Sequence, residues 1–232
     1  MTAPAPPGSV SALILGAGQG RRMNDRAKAL LDLDGTSLLA RALAAVGPLA
    51  EEILVGLPED QIADGLTAGD DSEVTVIAGG ATRHETVARL LDRATRPLVL
   101  VHEVARPLAP PSLFRAVLAA AKRHGAATPV LAASDRDALA FREGDVLGAP
   151  LPRDRVVRTQ TPQAYRREIL VDAFDRAARH GWREASVPAL LSRVGHEVRV
   201  VPGAPDNIKI TFPEDLAEAV RLLRRRDRDG DA

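Results

Sequence analysis

Cysteine is absent from the 232-residue chain, which excludes disulfides, zinc–thiolate sites and thiol nucleophiles together. A surplus of charge is missing as well, since Lys plus Arg and Asp plus Glu both total 31. Without a basic field, nonspecific attachment to nucleic acid or to an anionic membrane is not expected, and any anion must be held by a local arrangement of groups. No apolar stretch approaches the roughly 18 to 20 residues of a membrane-spanning helix. The opening "MTAPAPPGSV" has neither the cationic start nor the apolar core of a secretory signal, so the chain reads as cytoplasmic. Internal repeats and low-complexity tracts are also lacking.

What is present suits one large α/β domain over residues 1–232, because a chain that is 45% hydrophobic and 27% charged can bury a sizeable core. Short β-branched or aliphatic runs predict strands over 10–15, 51–57, 73–78, 97–102, 126–131, 196–201 and 207–211. Between them, apolar residues at helical spacing predict helices over 37–46, 84–94, 111–125, 166–181 and 213–226. Ser112 is expected to cap the third helix, Gly125 and Gly181 to end two of them, and Pro213 with Glu214 and Asp215 to open the last. Strand and helix in repetition imply a Rossmann-like, mostly parallel sheet with helices on both faces, whose ligands bind at the carboxyl ends of the strands. Residues 134–160 break this alternation, mixing short apolar patches with Arg, Asp, Gly and Pro, and read as a protruding β-arm that clasps something.

Four stretches carry candidate chemistry. In "LILGAGQGRRM", Gly16, Gly18 and Gly20 follow the first strand directly. Bare backbone there lets an anion approach the amides, while Arg21, Arg22 and Lys28 supply charge. Phosphate is the natural guest. The dinucleotide fingerprint needs its third glycine one place later, and the P-loop needs a Gly-Lys-Ser/Thr that is absent. Taken alone, the stretch is equally a glycine turn with solvated arginines. "VLVHEVARPLAPP" sets Glu103 and Arg106 at a strand's carboxyl end, which is either a ligand site or an ordinary strand-end ion pair. "RTQTPQAY" gathers Thr159, Gln160, Thr161 and Gln163 before a helix, where a plain helix cap would look the same. "PDNIKIT" puts Lys209 inside an otherwise apolar strand, which is costly unless the ammonium reaches water or an anion.

In this order, "GAGQGRRM" with Lys28, "GGATR", "VHEVARP", "QTPQAY" and "DNIKIT" resemble the signature series of the 2-C-methyl-D-erythritol 4-phosphate cytidylyltransferase family, CTP-using enzymes of the non-mevalonate isoprenoid pathway. The resemblance runs from about Val10 to Leu223. It implies that Gly16, Ala17, Gly18 and Gly20 wrap the triphosphate of CTP, and that Arg22 and Lys28 neutralise the α-phosphate and the departing pyrophosphate. Lys209 is implied as both a catalytic and a substrate-binding residue. Glu103 would hold Mg²⁺, Gly80 and Thr86 would face the cytosine, and Arg106, Thr161, Lys209 and Arg153 would grip methylerythritol phosphate. A homodimer joined through the arm is implied too, with Arg153 serving the neighbour's site.

The chain departs from the family pattern at several places. The family usually has Asp where Glu103 stands, Pro-Lys for Ala27-Lys28, and Pro-Ala-Ala-Gly for Leu15-Gly16-Ala17-Gly18. Its Asp-Thr-x-Lys becomes Asp137-Ala138-Leu139-Ala140, Arg183 replaces an Asp before Glu184, and Ala81 replaces the acid after the paired glycines. A hydroxyl and an ammonium expected near the acceptor are therefore gone. A transferase acting on another sugar- or alditol-phosphate would share the glycine loop, Arg22, Lys28 and Glu103 and differ in that pocket. A noncatalytic nucleotide-binding homologue would have lost its charge-neutralising residues, yet Arg22, Lys28, Glu103 and Lys209 are all present.

Overall fold

The structure is a computed structural model that describes residues 10–18, 28–62, 73–133 and 138–230. Its first strand, β1 (Val10–Leu15), is followed by a short hairpin of β2 (Asp32–Leu33) and β3 (Thr36–Ser37), then α1 (Leu38–Val46) and β4 (Glu52–Leu57). The chain continues through β5 (Glu73–Ala78), α2 (Arg83–Leu91), β6 (Leu98–Glu103), α3 (Pro111–His124) and β7 (Ala126–Ala132). A second hairpin, β8 (Ala140–Glu143) with β9 (Val146–Pro150), leads to β10 (Val157–Thr159) and β11 (Gln163–Arg166). The last elements are α4 (Arg167–His180), α5 (Val187–Arg193), β12 (Arg199–Pro202) and α6 (Pro213–Asp229).

The central sheet has the order β5–β4–β1–β6–β11–β7–β10, with β12 also paired to β7. Its pairs are parallel except where β10 and β11 meet their neighbours, so the mostly parallel expectation holds. Alternation along the inner strands explains the two layers of helices. Val10, Ala12 and Ile14 face a core with Leu38, Phe114 and Leu222 of α1, α3 and α6. Leu13, Val99 and Val101 face the opposite core with Leu90, Leu170 and Leu190 of α2, α4 and α5. Strands buried on both faces read as continuous apolar runs, which is why they were visible in the sequence. Ser11 is the polar exception inside β1. Its hydroxyl donates to the Glu52 carboxylate and accepts the Arg96 N–H at 3.0 Å.

The chain leaves β1 toward β4 and β5 on one side, then returns to lay β6 against β1 on the other. That reversal is a topological switch point, and it opens a crevice beyond the carboxyl ends of the two strands. Leu15 and Glu103 are register partners there, so the glycine loop and the acid are neighbours by topology.

Several expectations are corrected. Residues 207–211 form no strand. Side chains from elsewhere occupy that segment's carbonyls: Arg106 donates to Asn207 O at 2.6 Å and Lys28 to Ile210 O at 3.0 Å. Ser112 does not cap α3, which begins with Pro111 behind Pro110 and has no side-chain cap hydrogen bond. Of the arm expected over 134–160, residues 134–137 lie outside the described residues; the hairpin occupies 140–150, while β10 pairs antiparallel with β7 inside the main sheet. "QAY" is β11 rather than a cap, entered through a cis Thr161–Pro162 bond. Gly125 and Gly181 do end α3 and α4 at positive φ, and Asp215 accepts the N–H groups of Thr211 and Phe212, both at 2.8 Å, to open α6.

Candidate active site

A cleft of about 490 Å³ lies at the switch point. Leu15, Gly16, Ala17 and Gly18 line one side, Gly80 to Arg83 and Thr86 another, and Lys28, Glu103 and Lys209 complete it. A larger cleft of about 610 Å³, lined by residues such as Ser192, His196 and Arg199, contains none of the residues singled out in the sequence.

The glycines of the cleft do different jobs. Gly16 donates its N–H to Gly56 O at 2.9 Å, extending the β1–β4 pairing by one bond. A Cβ at this position would lie 2.7 Å from Leu57 Cδ2, so Gly16 gives close packing rather than an open donor. Gly18, by contrast, faces open space, with nothing within 4 Å of an added Cβ. A Cβ on Gly79 would sit 2.2 Å from Ala17 Cβ, which presses the two loops together. Gly80 donates to Thr86 Oγ1 at 3.0 Å, and the Thr86 hydroxyl donates to Thr82 O at 3.0 Å. Thr82 caps α2 by accepting the Glu85 N–H at 3.1 Å, while Glu85 accepts the Ala81 N–H at 3.0 Å. The start of α2 is thereby fixed by its own residues.

Glu103 is the electrostatic centre. Lys209 Nζ lies 2.9 Å from its Oε2 and Arg83 Nε 3.0 Å from its Oε1, with Arg106 Nε at 3.9 Å. Burial would push this carboxyl up, but the charges of Lys209 and Arg83 hold it down at about 2. The ionised carboxylate has about four lone-pair directions, so one close contact on each oxygen, with Arg106 too far for a hydrogen bond, leaves others open to a hard cation. Among the described residues no group of three or more His, Cys, Asp or Glu side chains could cage a metal. The donor set therefore suits Mg²⁺ arriving with phosphate oxygens of its own, a common mode of binding for that ion. Next along β6, His102 is buried and held neutral, its pKa lowered to about 4 by burial, and its ring lies 5.0 Å from that of Phe114.

Several residues named from the sequence converge here: Gly16, Ala17, Gly18, Lys28, Gly80, Thr86, Glu103 and Lys209 all line the cleft. Gly20 and Arg22 lie outside the described residues. Arg106 and Thr161 sit a layer behind the wall. The Arg106 guanidinium donates to Asn207 O and, at 3.5 Å, to Thr159 O, while the buried Thr161 hydroxyl accepts the Glu103 N–H at 3.2 Å. Arg153 is exposed, on a short turn after the arm hairpin, and does not line the cleft within its own chain. Arg83 was missed. In the sequence it is one more basic residue at a helix start, and only the fold brings Glu103 to it.

A family model described as 2-C-methyl-D-erythritol 4-phosphate cytidylyltransferase matches residues 10–225. The chain belongs to this family. Within this cytidylyltransferase family, a Deinococcus radiodurans relative is 40% identical over 212 residues, covering 91% of this chain and 88% of its own. A Thermus thermophilus relative is 40% identical over 215 residues, covering 93% and 97%. A crystal structure of the Thermus thermophilus cytidylyltransferase superimposes with a TM-score of 0.79 at 40% identity, over 92% of this chain and 98% of that one. An Anaerococcus prevotii synthase structure, 24% identical, shares the fold with a TM-score of 0.82 over 94% of this chain and the whole of that one. Like its family, the chain is a nucleotidyltransferase. Neither a transferase for another alditol phosphate nor a noncatalytic homologue is favoured by these relatives.

Proposed function

We propose that this cytidylyltransferase joins 2-C-methyl-D-erythritol 4-phosphate to CTP, releasing pyrophosphate, as a step in isoprenoid precursor synthesis. The observation that carries this reading is the cleft at the switch point, where Arg83 and Lys209 pair with one ionised carboxylate and Lys28 lines the same wall, beside Gly18, which faces open space. An acceptor phosphomonoester is already largely dianionic at neutral pH, its second pKa being about 6, so no base has to remove a proton. Its oxygen attacks the α-phosphorus of CTP, the new P–O bond forms in line, and the bond to the β-phosphate breaks. The barrier is repulsion between anions and the alignment of oxygens, which positioned cations lower.

In this reading Gly18 gives the triphosphate room, and Gly16 with Ala17 shapes the loop beneath it. Lys28 and Arg22 neutralise the α-phosphate and the departing pyrophosphate, and Gly80 with Thr86 forms the floor for the cytosine. Lys209 lies between Glu103 and the acceptor and draws the attacking phosphate in, while Arg106 and Thr161 hold the wall behind it. Glu103 would hold Mg²⁺, which supplies charge neutralisation on the triphosphate oxygens. A pyrophosphate-release assay crossing four nucleotides with methylerythritol phosphate, ribitol phosphate and other phosphorylated polyols tests the reading. CTP with methylerythritol phosphate is expected to be the best pair by a wide margin. Preferred turnover of ribitol phosphate would move the assignment to another acceptor.

The arm supports a homodimer in this proposal, because Phe141, Val146 and Leu147 expose 56%, 67% and 81% of their surface on a hairpin with little core of its own. Arg153 then serves the partner's acceptor site, where Ala138 and Ala140 can offer no charge. Arg153→Ala is expected to raise the KM for methylerythritol phosphate strongly and that for CTP little, since only the acceptor loses a charge-assisted partner. Mixing Arg153→Ala subunits with Lys28→Ala subunits should place both lesions in one site of each mixed dimer and restore the other. Activity at the parental average after verified subunit exchange would refute action in trans.

A further inference from the structure

We infer that Gln160 is a positioning residue, which sets Lys209 in the cleft by clamping the loop 203–210 to the end of β10 at the edge of the main sheet. The inference rests on the reading of Lys209 given above. Gln160 follows β10 directly, is 5% exposed, and anchors its own N–H on Pro129 O of β7 at 2.9 Å. Its side-chain amide then behaves like a peptide group aimed at the loop. Nε2 donates to Ala204 O at 2.9 Å and Asn207 O at 3.2 Å, while Oε1 accepts from Ala204 N at 3.1 Å and Asn207 Nδ2 at 3.4 Å. Asn207, fully buried, also donates to Thr161 O at 2.9 Å.

Space for the clamp is reserved in the backbone. A Cβ at Gly203 would lie 2.8 Å from Gln160 Oε1 and 2.9 Å from Val130 O. Beyond Asn207 the loop is pinned again, where Ile210 N–H donates to Ala105 O at 2.8 Å and Lys28 reaches Ile210 O. Lys209 lies between the two pins, extending to Glu103 at 2.9 Å. Because this segment has no strand ladder, its course depends on such side-chain bonds, and Gln160 contributes four of them. Gln163 supplies a matched contrast. It is equally buried, yet its amide bonds Thr128 Oγ1, Gln160 O and the Tyr165 hydroxyl and makes no bond to the loop.

The chain has three lysines, Lys28, Lys122 and Lys209, so limiting acylation with an acetyl N-hydroxysuccinimide ester, read by mass spectrometry, follows Lys209 against the exposed Lys122. In the full-length protein without substrate, Gln160→Met and the isosteric Gln160→Glu are expected to raise the Lys209 to Lys122 ratio several-fold, and Gln163→Met to leave it unchanged. The same Gln160 variants should raise the KM for methylerythritol phosphate about tenfold, as Lys209 leaves its position, with the KM for CTP unaltered. Gly203→Ala, which spreads the clamp from the other side, keeps the test open if Gln160→Met does not fold. An unchanged ratio in the Gln160 variants, or an equal rise in Gln163→Met, overturns the inference. A raised ratio with unaltered acceptor KM upholds the positioning and instead removes Lys209 from acceptor binding.

Discussion

Lys28→Ala is expected to lower turnover at least about 100-fold, the scale seen when one preorganised donor to a transition state is lost. Two anions must meet at one phosphorus, and Lys28 lines the same cleft as Gly16 to Gly18 and Glu103. Its hydrogen bond to Ile210 O adds a second effect, because the variant also frees one pin of the loop that carries Lys209. The core beneath should be indifferent to the change, so circular dichroism and thermal unfolding should stay close to those of the parent. Arg22→Ala should give a loss of the same order by the same electrostatic argument. Near-normal steady-state rates in both variants would remove this cleft from the chemistry.

The second large effect is expected at Glu103. Glu103→Gln should abolish activity at ordinary magnesium, whereas Glu103→Asp should be tolerated, since both acids coordinate hard cations and the amide does not carry charge. Stability must be weighed separately, because the amide leaves Arg83 and Lys209 without their anion. Breaking a fully buried pair costs roughly 3 to 5 kcal/mol. Here the side chains of Arg83 and Lys209 keep 24% and 42% exposure, so water takes over part of the lost interaction. The Gln variant is therefore expected to fold and to fail in catalysis. Full activity in it would take Glu103 out of the mechanism.

The parts of the fold that were legible are those set by local chemistry. Leu98 to Val101 must be apolar on both faces, and such a run announces a central strand without reference to anything else. Gly125 and Gly181 occupy positive φ, a demand that glycine alone meets cheaply. The glycine loop and Glu103 were legible because one directly follows an apolar strand and the other ends one. What stayed hidden depends on partners distant in sequence. Asn207 to Thr211 has the composition of a strand, and nothing local reveals that Arg106, Gln160 and Lys28 occupy its carbonyls instead of a neighbouring ladder. Arg83 and Glu103 are brought together by the switch point. Thr161 and Arg106 were legible as polar and local to the site, but their depth behind the wall follows from the packing of the 203–210 loop.

The contact between Ala17 and Gly79 makes these two positions genetically interdependent. One methyl group fills the space between the loops, and it is carried by residue 17. Gly79→Ala would drive the loops apart on this background, because the nearest other neighbours of its Cβ, Thr86 Oγ1 at 3.3 Å and Leu57 O at 3.5 Å, also leave little slack. On an Ala17→Gly background the main obstruction is gone. The methyl can therefore pass from one loop to the other only through a sequence with glycine at both places, so the order in which the two changes are introduced decides whether the intermediate retains the shape of its cleft.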